Sequence, residues 1–268
     1  MKSLFEDVLN YFKVEGNFVE AELVNSGHIN DTYVVSFIKK DNTIQKYVLQ
    51  RINHHVFKEP DKLMDNVIKV TDHIRTRIKN EGGDPERETL RFIPETQGKY
   101  FHKTIDGNYW RVYSYIENAI TYQVVENSNH FYNAGKAFGK FQVYLDDFSV
   151  SNLYETIPDF HNTPKRLKAL IEAINNDVKN RAKTVKPEID FVMKRAEETN
   201  KIINLLNEGK IPLRVTHNDT KFNNVLIDAI TGDGICVIDL DTVMPGSSLY
   251  DFGDSIRSGA NTADEDEP

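Results

Sequence analysis

One polar segment of the chain contains the residue types that phosphoryl transfer requires. Residues 217–224 lie between two short apolar runs and have the pattern H-x-D-x-K-x-x-N. Phosphoryl transfer needs a carboxylate that accepts the proton of the attacking hydroxyl, a cation that faces the moving phosphate, and oxygen ligands for Mg²⁺. The pattern predicts Asp219 as the base, Lys221 as the catalytic cation and Asn224 as a ligand of Mg²⁺.

A hairpin predicted directly after this loop brings further metal ligands close to Asn224. Residues 225–239 read as two short strands joined by a turn, so the chain reverses and returns Asp239 towards Asn224. Asp241, two residues later, points to the same side and could assist. Mg²⁺ favours one or two carboxylates together with substrate phosphates. The predicted metal ligands are therefore Asn224, Asp239 and Asp241.

The same residue types have other readings. A loop rich in Asp, Asn and Thr could be only a turn, and Asp239 at a strand end could be a cap, but the hairpin spacing that joins the two groups favours a site. Residues 251–253 spell the D-F-G sequence with which protein kinases bind Mg²⁺, yet they lie beyond the hairpin. We instead expect Asp251 to brace the catalytic loop through backbone amides, and Asp254 to cap a helix.

Composition places the chain among ordinary globular proteins. Of its 268 residues, 39% are hydrophobic and 28% are charged, which is enough for one large domain or two small ones. The formal charge of −8, without a basic cluster, argues against nucleic acid as a partner. No segment approaches the roughly 20 apolar residues of a membrane helix, and the first residues do not resemble a signal peptide. We therefore expect no membrane partner and a cytoplasmic location.

The residue pattern changes near residue 116, from strands to helices. Strands are predicted at residues 21–24, 32–37, 46–51, 90–93, 99–105 and 109–116. Helices are predicted at residues 60–79, around 131–145, from Thr163-Pro164 onwards and from about 187 to 209. We therefore expect a β-rich lobe at residues 1–116 that binds nucleotide, and a helical catalytic lobe at residues 117–268.

The loop and the hairpin resemble those of the aminoglycoside phosphotransferase and choline kinase superfamily, which is itself similar to protein kinases. Residues 237–267 look like the N-acetylhexosamine 1-kinase branch, with support from G-H-I-N-D-T at 27–32 and Y-V-L-Q-R-I-N at 47–53. The resemblance implies an α+β, bilobal, protein-kinase-like fold with an N-terminal antiparallel β-sheet lobe and a mainly helical C-terminal lobe. It also implies Mg²⁺-dependent transfer of the γ-phosphate of ATP to the anomeric hydroxyl of N-acetylglucosamine or N-acetylgalactosamine.

The resemblance further implies where the nucleotide would bind. A segment before the second strand would cover its phosphates, although by itself this segment reads more readily as a hairpin turn. The residues assigned to this segment are Gly27, His28, Asn30 and Thr32. A hinge between the lobes would hold adenine through backbone hydrogen bonds, although by itself it could be an ordinary strand. The residues assigned to the hinge are Tyr113, Tyr115 and Ile116.

Two features depart from the family pattern. The third strand usually offers a lysine or arginine to the α- and β-phosphates, whereas here it has Gln50 followed by Arg51. Side chains alternate along a strand, so only one of the two faces the nucleotide. We assign Arg51, with an outward-facing surface arginine as the alternative. The chain also stops at Pro268, before the helices with which family members complete the sugar pocket, so we expect an acceptor site that is incomplete or built differently.

Three functions stay open at this point. The first is an anomeric hexosamine kinase, and the second is a related kinase that acts on another hydroxyl, such as that of an amino alcohol or an aminoglycoside. The third is a catalytically silent module that binds nucleotide. Arg257 could approach the acceptor or the phosphate, or could form a surface salt bridge.

Overall fold

The first part of the chain builds an antiparallel sheet. The computed structural model describes residues 2–24, 29–125 and 127–260, and within these ranges the chain begins with helix α1 (Lys2–Leu9). The sheet contains β1 (Asn17–Val24), β2 (Asp31–Ile38), β3 (Ile44–Ile52), β4 (Phe92–Ile93), β5 (His102–Lys103) and β6 (Tyr109–Ser114). Its strand order is β1-β2-β3-β6-β4, and β5 also pairs with β6. Helix α2 (Pro60–Asn80) lies between β3 and β4 in sequence.

The two faces of this sheet pack against different helices. On one face, Val8 and Leu9 of α1 pack against Leu49 and Trp110. On the other face, the apolar side of α2 packs near Ile52 in a separate and larger core. Fully burying one such side chain contributes about 1.5–3 kcal/mol, so each helix holds one face in place. Because side chains alternate, neighbouring residues of β3 belong to different environments.

The second part of the chain is mainly helical, with short strands. Its elements are β7 (Ala119–Ile120), α3 (Ser128–Tyr144), α4 (Thr163–Asn176), α5 (Lys186–Met193), α6 (Lys201–Asn207), β8 (Arg214–Thr216), β9 (Val225–Asp228), β10 (Gly234–Val237), β11 (Met244–Gly246) and α7 (Ser248–Gly259). β10, β9 and β7 form one small sheet, and β11 pairs with β8.

The predicted hairpin is present and packs tightly on α3. β9 and β10 pair in antiparallel register between residues 225 and 237. A Cβ atom at Gly234 would lie 2.5 Å from the carbonyl oxygen of Asn133, so only glycine permits this close approach of the hairpin to α3. The large core continues from α2 through α3 into both hairpin strands and therefore fixes the hairpin relative to α2.

Several sequence-based boundaries are wrong. The predicted helix at residues 187–209 is divided into α5, a 3₁₀ turn at Ala196–Asn200, and α6, and none of these segments has a buried residue. No packing holds one long helix together here, so local hydrogen bonds can compete with the helical backbone bonds. One of them is donated by Thr199 Oγ1 to the carbonyl of Ala196. Helix α1 was not predicted. Within the described ranges, no helix combines the length and the apolar character that a bilayer crossing needs.

Candidate active site

A buried carboxylate holds the loop of residues 217–224 in place. Asp251 of α7 accepts hydrogen bonds from the backbone N–H groups of His217 and Asn218 at 3.0 and 2.8 Å. Gln142 of α3 donates to the same carboxylate at 2.7 Å. These bonds fix a backbone that includes a φ of 66° at Asn218, which asparagine tolerates better than most residues. The expectation that Asp251 braces this loop is confirmed.

His217 joins the loop to the segment that carries Asp239. Its imidazole is fully buried, and Nδ1 accepts a hydrogen bond from the N–H of Asp219 at 3.3 Å. Because Nδ1 accepts, Nε2 carries the proton and donates to the carbonyl of Ile238 at 2.9 Å. The hydroxyl of Thr242 donates to the carbonyl of His217 at 2.6 Å. The loop and the Asp239 segment therefore form one hydrogen-bonded unit.

The three functional residues predicted in the loop lie next to one another. The side-chain amide of Asn224 donates from Nδ2 to the carbonyl oxygen of Asp219 at 2.8 Å and to its Oδ2 at 3.1 Å. Lys221 Nζ lies 3.5 Å from Asp219 Oδ1, and both side chains are about one quarter exposed. The carboxylate of Asp219 is therefore held in position but can be reached by a substrate. The amide orientation leaves Asn224 Oδ1 available as a metal ligand.

Asp239 lies beside this group, as the hairpin predicted. The N–H of Ile238 donates to the carbonyl of Asn224 at 2.9 Å, which places the next residue close to Asn224. Asp239 itself has a φ of 57°. Asp239 is exposed to solvent, although protein atoms crowd around its carboxylate. This enclosure, followed by the negative charges of Asp241 and Asp219, raises the pKa of Asp239 to about 6.

The chemistry of these groups fits a divalent cation. A cation at Asp239 would offset the repulsion that raises its pKa, and Asn224 offers a free amide oxygen. Among the described residues, no group of three or more His, Cys, Asp or Glu side chains is arranged to hold a metal ion. Mg²⁺ does not need such a group, because it keeps waters and takes further ligands from substrate phosphates.

Asp241 does not share this role. Its Oδ1 lies 2.5 Å from Nη1 of Arg111, and its Oδ2 accepts a hydrogen bond from Nδ2 of Asn30 at 2.7 Å. The side chain is only 3% exposed. Oδ2 is thus occupied by a donor and Oδ1 by an ion pair with a buried guanidinium, both away from solvent. The assignment of Asp241 as a metal ligand is therefore not supported.

The structure also contradicts the assignment of Arg51 to the nucleotide phosphates. Arg51 lies opposite Asp31 in the β2–β3 register, and its Nε donates to Asp31 Oδ2 at 2.6 Å. It also contacts Asn108, and its side chain is 43% exposed. Arg51 shares its sheet face with Leu49, on the α1 side. Gln50 instead faces the larger core and the catalytic segments.

The cation on this inner face is Arg111 of β6, a residue that the sequence reasoning missed. Its Nε and Nη2 both donate to Oε1 of Gln50, at 2.9 and 2.6 Å. Burial opposes its charge, but the interactions with Asp241, followed by those with Tyr113 and Asp239, together raise the pKa of the guanidinium. The available signal was a single arginine within the apolar strand Tyr109–Ser114. Its partner could not be identified from local sequence.

The residues predicted to cover the phosphates are only partly described. Gly27 and His28 lie outside the described residues. Asn30 bonds to Asp241, as stated above, and its Oδ1 accepts the N–H of Asn53 at 2.9 Å. Thr32 accepts a hydrogen bond from Nε2 of Gln50 at 2.9 Å. The structure thus brings Asn30 and Thr32 to the inner face of the sheet, beside Arg111.

The predicted hinge follows β6. Tyr113 points to the same face as Arg111, and its enclosure raises the pKa of its phenol. Tyr115 is partly buried and Ile116 is buried. The carbonyl of Glu117 accepts a hydrogen bond from Nη1 of Arg87 at 2.8 Å, which anchors the end of the segment. Within the described ranges, the backbone N–H and C=O of Ile116 have no hydrogen-bond partner.

Four further residues lie near the loop or on α7. His161, which was not predicted, lies with Nε2 3.1 Å from the carbonyl oxygen of Asn218. Ser247 is the N-cap of α7, so the prediction that Asp254 caps a helix is wrong. Asp254 instead accepts hydrogen bonds from Nε and Nη2 of Arg257 at 3.0 and 2.8 Å. Arg257 thus forms the salt bridge that was one of its two expected roles.

Several solved structures with similar folds are small-molecule kinases. The GDP complex of aminoglycoside 2'-phosphotransferase-IIIa matches at 12% identity and a TM-score of 0.59, over 90% of this chain and 73% of that one. An amicoumacin kinase in complex with AMP-PNP and Ca²⁺ matches at 14% and 0.60, over 96% and 68%. A choline kinase from Streptococcus pneumoniae matches at 15% and 0.52, over 98% and 75%.

These likenesses and the observed elements confirm the predicted α+β, protein-kinase-like fold, with an antiparallel N-terminal sheet followed by a helical region. The sequence model of the phosphotransferase enzyme family, APH, matches residues 20–267. This match includes the loop, the hairpin and most of the N-terminal sheet. The chain therefore belongs to the phosphotransferase enzyme family.

Proposed function

We propose that this protein transfers the γ-phosphoryl group of ATP, with Mg²⁺, to a hydroxyl group of a small molecule in the cytoplasm. The observation that carries the proposal is the grouping of Asp219, Asn224 and Asp239 on one hydrogen-bonded unit. A carboxylate oriented by an amide, beside a second carboxylate that can bind Mg²⁺, is what phosphoryl transfer requires. The bound nucleotides of two solved relatives support the nucleotide part of the proposal.

Each residue in the proposed site has a separate task. Mg·ATP supplies the phosphoryl group and neutralises the charge that develops on it. Asn224 Oδ1 and the carboxylate of Asp239 would hold the cation, and Lys221 would face the transferred phosphate. Asp219 would orient the acceptor hydroxyl and accept its proton. Orientation by Asn224 means that Asp219 needs little rearrangement before the reaction.

The proposed nucleotide position lies between residues 1–116 and residues 117–268. The backbone of Tyr115 and Ile116 would hold adenine, because the polar backbone groups of Ile116 have no protein partner among the described residues. Asn30 and Thr32 lie towards the phosphates on the inner face of the sheet. Arg51 is not part of this proposal.

The proposed acceptor is N-acetylglucosamine or N-acetylgalactosamine, phosphorylated at the anomeric hydroxyl. This choice rests on the resemblance of residues 237–267 to hexosamine 1-kinases. A pocket of about 150 Å³ beside Asn218 supports an acceptor of modest size. Polar residues that line it include Glu155, Asp159 and His161. These groups can bond the hydroxyl and amide groups of a sugar.

A second candidate acceptor is a cationic alcohol of the choline or aminoglycoside type. The solved relatives named above act on acceptors of this kind according to their names. The carboxylates of Glu155 and Asp159 at the pocket would favour a cation. Asp159 already forms an ion pair with Lys165, which leaves less negative charge for such an acceptor.

The proposal is tested by phosphorus NMR of the protein with Mg·ATP and four separate acceptors. These are N-acetylglucosamine, N-acetylgalactosamine, choline and kanamycin. We expect an anomeric sugar phosphate with one of the two hexosamines. Formation of a phosphate ester of choline or kanamycin would contradict the hexosamine as acceptor and support the second candidate. Binding of Mg·ATP without transfer to any acceptor would identify a silent nucleotide-binding module.

Two variants of the loop test the roles of its residues. Asp219→Asn should lower kcat roughly 10²–10⁴-fold, because an amide cannot accept the proton, while the Kd of Mg·ATP stays close to that of the parent protein. An unchanged kcat would remove Asp219 from the role of base.

Asn224→Ala should raise the Mg²⁺ concentration needed for half-maximal rate. Its matched control is Asn223→Ala, because Asn223 bonds only the exposed Gln123 at 3.0 Å.

A further inference from the structure

A cluster of buried and partly buried polar side chains connects the N-terminal sheet to the segment that follows Asp239. We call it the Arg111 cluster, and it consists of Asn30, Thr32, Gln50, Arg111 and Asp241. The inference drawn from it deepens the proposed function and rests on it, since it concerns how the metal-binding segment is positioned.

The Arg111 cluster links three separate parts of the chain. Arg111 of β6 spans from Gln50 of β3 to Asp241, which lies in a 3₁₀ turn between β10 and β11. Asn30, just before β2, bonds the other oxygen of Asp241. Arg111 and Asp241 are each only 3% exposed, so water does not compete for these contacts. The segment before β2 and strand β6 therefore both contact the carboxylate of Asp241, which lies in the segment after Asp239.

Protein kinases align the corresponding parts with a different ion pair. There a lysine of the third strand pairs with a glutamate of the following helix and with the nucleotide phosphates. Here the inward-facing residue of β3 is the neutral Gln50. On α2, the thioether of Met64 lies 3.6 Å from Nη1 of Arg111. The positive charge comes from β6 instead, and its anionic partner is Asp241.

Asp241 is close enough to Asp239 to control its position. Only Leu240 separates the two residues, and its side chain is buried with 2% exposure. Asp239 has a left-handed backbone conformation, with φ of 57° and ψ of 58°, which is accessible to few residue types without support. The bonds on Asp241 and the burial of Leu240 hold the short turn that begins at Asp239.

We propose that Arg111 is a positioning residue, which acts through Asp241 to hold Asp239 where it can bind the cation of Mg·ATP. Arg111 does not touch the nucleotide in this role. Its guanidinium donates two hydrogen bonds to Gln50 and forms an ion pair with Asp241, and a lysine has no planar fork with which to reach both. Loss of the pair would release the turn that carries Asp239 while leaving Asp219 on its own brace at Asp251.

The experiment compares Arg111→Met, Asp241→Asn and the double variant. For each, the Mg²⁺ dependence of AMP-PNP binding is measured by calorimetry, and the midpoint of thermal unfolding is recorded. We expect each single variant to need at least about tenfold more Mg²⁺ for half-maximal binding, while binding without Mg²⁺ changes by less than about threefold. Arg111→Lys should recover only part of the loss.

The double variant separates positioning from stability. Removing both charges leaves no unpaired buried ion, so the unfolding midpoint should return towards that of the parent protein. The Mg²⁺ requirement should stay raised, because the ion pair that fixes residue 241 to the sheet is absent. Recovery of both properties in the double variant would overturn the inference, and so would single variants that fold and keep the parent Mg²⁺ requirement.

A matched control is Arg77→Met, which breaks an ion pair of Arg77 with Asp147 at 3.0 Å on the outer side of α2. Its Mg²⁺ requirement should equal that of the parent protein.

Calorimetry without an acceptor also keeps the two proposals apart. Mg²⁺-dependent binding without phosphoryl transfer would defeat the proposed function while the Arg111 comparison still holds. A parent protein without Mg²⁺-dependent binding would overturn both.

Discussion

Two arginine–aspartate pairs on neighbouring strands of the sheet differ in almost every physical respect. Arg51 and Asp31 face each other across the β2–β3 ladder, and both side chains are 43% exposed. Arg111 and Asp241 are far apart in sequence, and both side chains are 3% exposed. The first pair lies on the α1 side of the sheet, whereas the second joins the sheet to the segment that carries Asp239. The charge that matters to the site therefore depends on the sheet face and not on the type of side chain.

The environment also changes the energies of the two pairs. An exposed ion pair is weakened by water and salt and contributes about 0–1 kcal/mol. A buried pair gains little net stability relative to an apolar replacement, but the loss of one partner leaves an uncompensated buried charge. The two pairs should therefore respond very differently to the same single substitution.

The largest effect on stability is expected for Arg111→Met. This change leaves Asp241 buried opposite an apolar side chain, and it also removes two hydrogen bonds from Gln50. We expect the free energy of unfolding to fall by about 3–5 kcal/mol. Urea denaturation followed by circular dichroism measures this change. A loss below about 1 kcal/mol would mean that water reaches Asp241 and that the two pairs are alike.

An intermediate effect is expected from a change of pH. It concerns Asp239, which lies next to the Arg111–Asp241 pair. The pKa of Asp239 is raised to about 6 in the metal-free protein, whereas a bound cation requires the ionised carboxylate. The affinity for Mg²⁺ and nucleotide should therefore fall as the pH decreases through 6. Because the carboxylate is partly open to water, we expect a decrease of about three- to tenfold between pH 7 and pH 5.

Calorimetry of AMP-PNP with Mg²⁺ at both pH values measures this decrease. Titrations without Mg²⁺ provide the correction for protonation of the nucleotide itself. The folding stability of the metal-free protein depends on pH in the opposite direction. A raised pKa means that the folded state binds the proton of Asp239 more tightly than the unfolded state does. The contribution of Asp239 to folding stability is therefore largest below about pH 4 and is lost as the pH rises to 6. An affinity for Mg²⁺ that does not change with pH would contradict the environment described for Asp239.

The smallest effect is expected for Arg51→Met. This substitution breaks a half-exposed pair with Asp31 and a contact to Asn108. We expect the free energy of unfolding to fall by no more than about 1 kcal/mol, measured by the same urea denaturation. The affinity for Mg·ATP is measured in parallel. A clear loss of affinity would return Arg51 to the nucleotide site and cancel the distinction between the two sheet faces.

Much of the candidate site could be predicted because its contacts are local. Asp219, Lys221 and Asn224 lie within one loop, so their spacing alone brings them together. Asp239 follows from a hairpin whose two strands are adjacent in sequence. Asp251 was recognised as a brace because it lies beyond the hairpin.

The errors arise where a side chain depends on distant parts of the chain. Gln50 and Arg51 are adjacent, and either could face the nucleotide until the packing of α1 and α2 chooses the faces of β3. Asp241 follows the expected spacing for a metal ligand, but Arg111 and Asn30 occupy its oxygens. The helix predicted at 187–209 has the right periodicity but no buried face to maintain it.

By itself, the sequence determined the chemistry of the catalytic loop and the general α+β class, because both depend on short-range spacing and periodicity. Only the tertiary structure decided which arginine faces the catalytic segments and which aspartate is free to bind a cation. Those choices depend on sheet register and on burial, which bring Arg111 and Asp241 together from distant positions. A carboxylate binds a metal only if no buried guanidinium has already paired with it, and that condition is a property of the folded molecule.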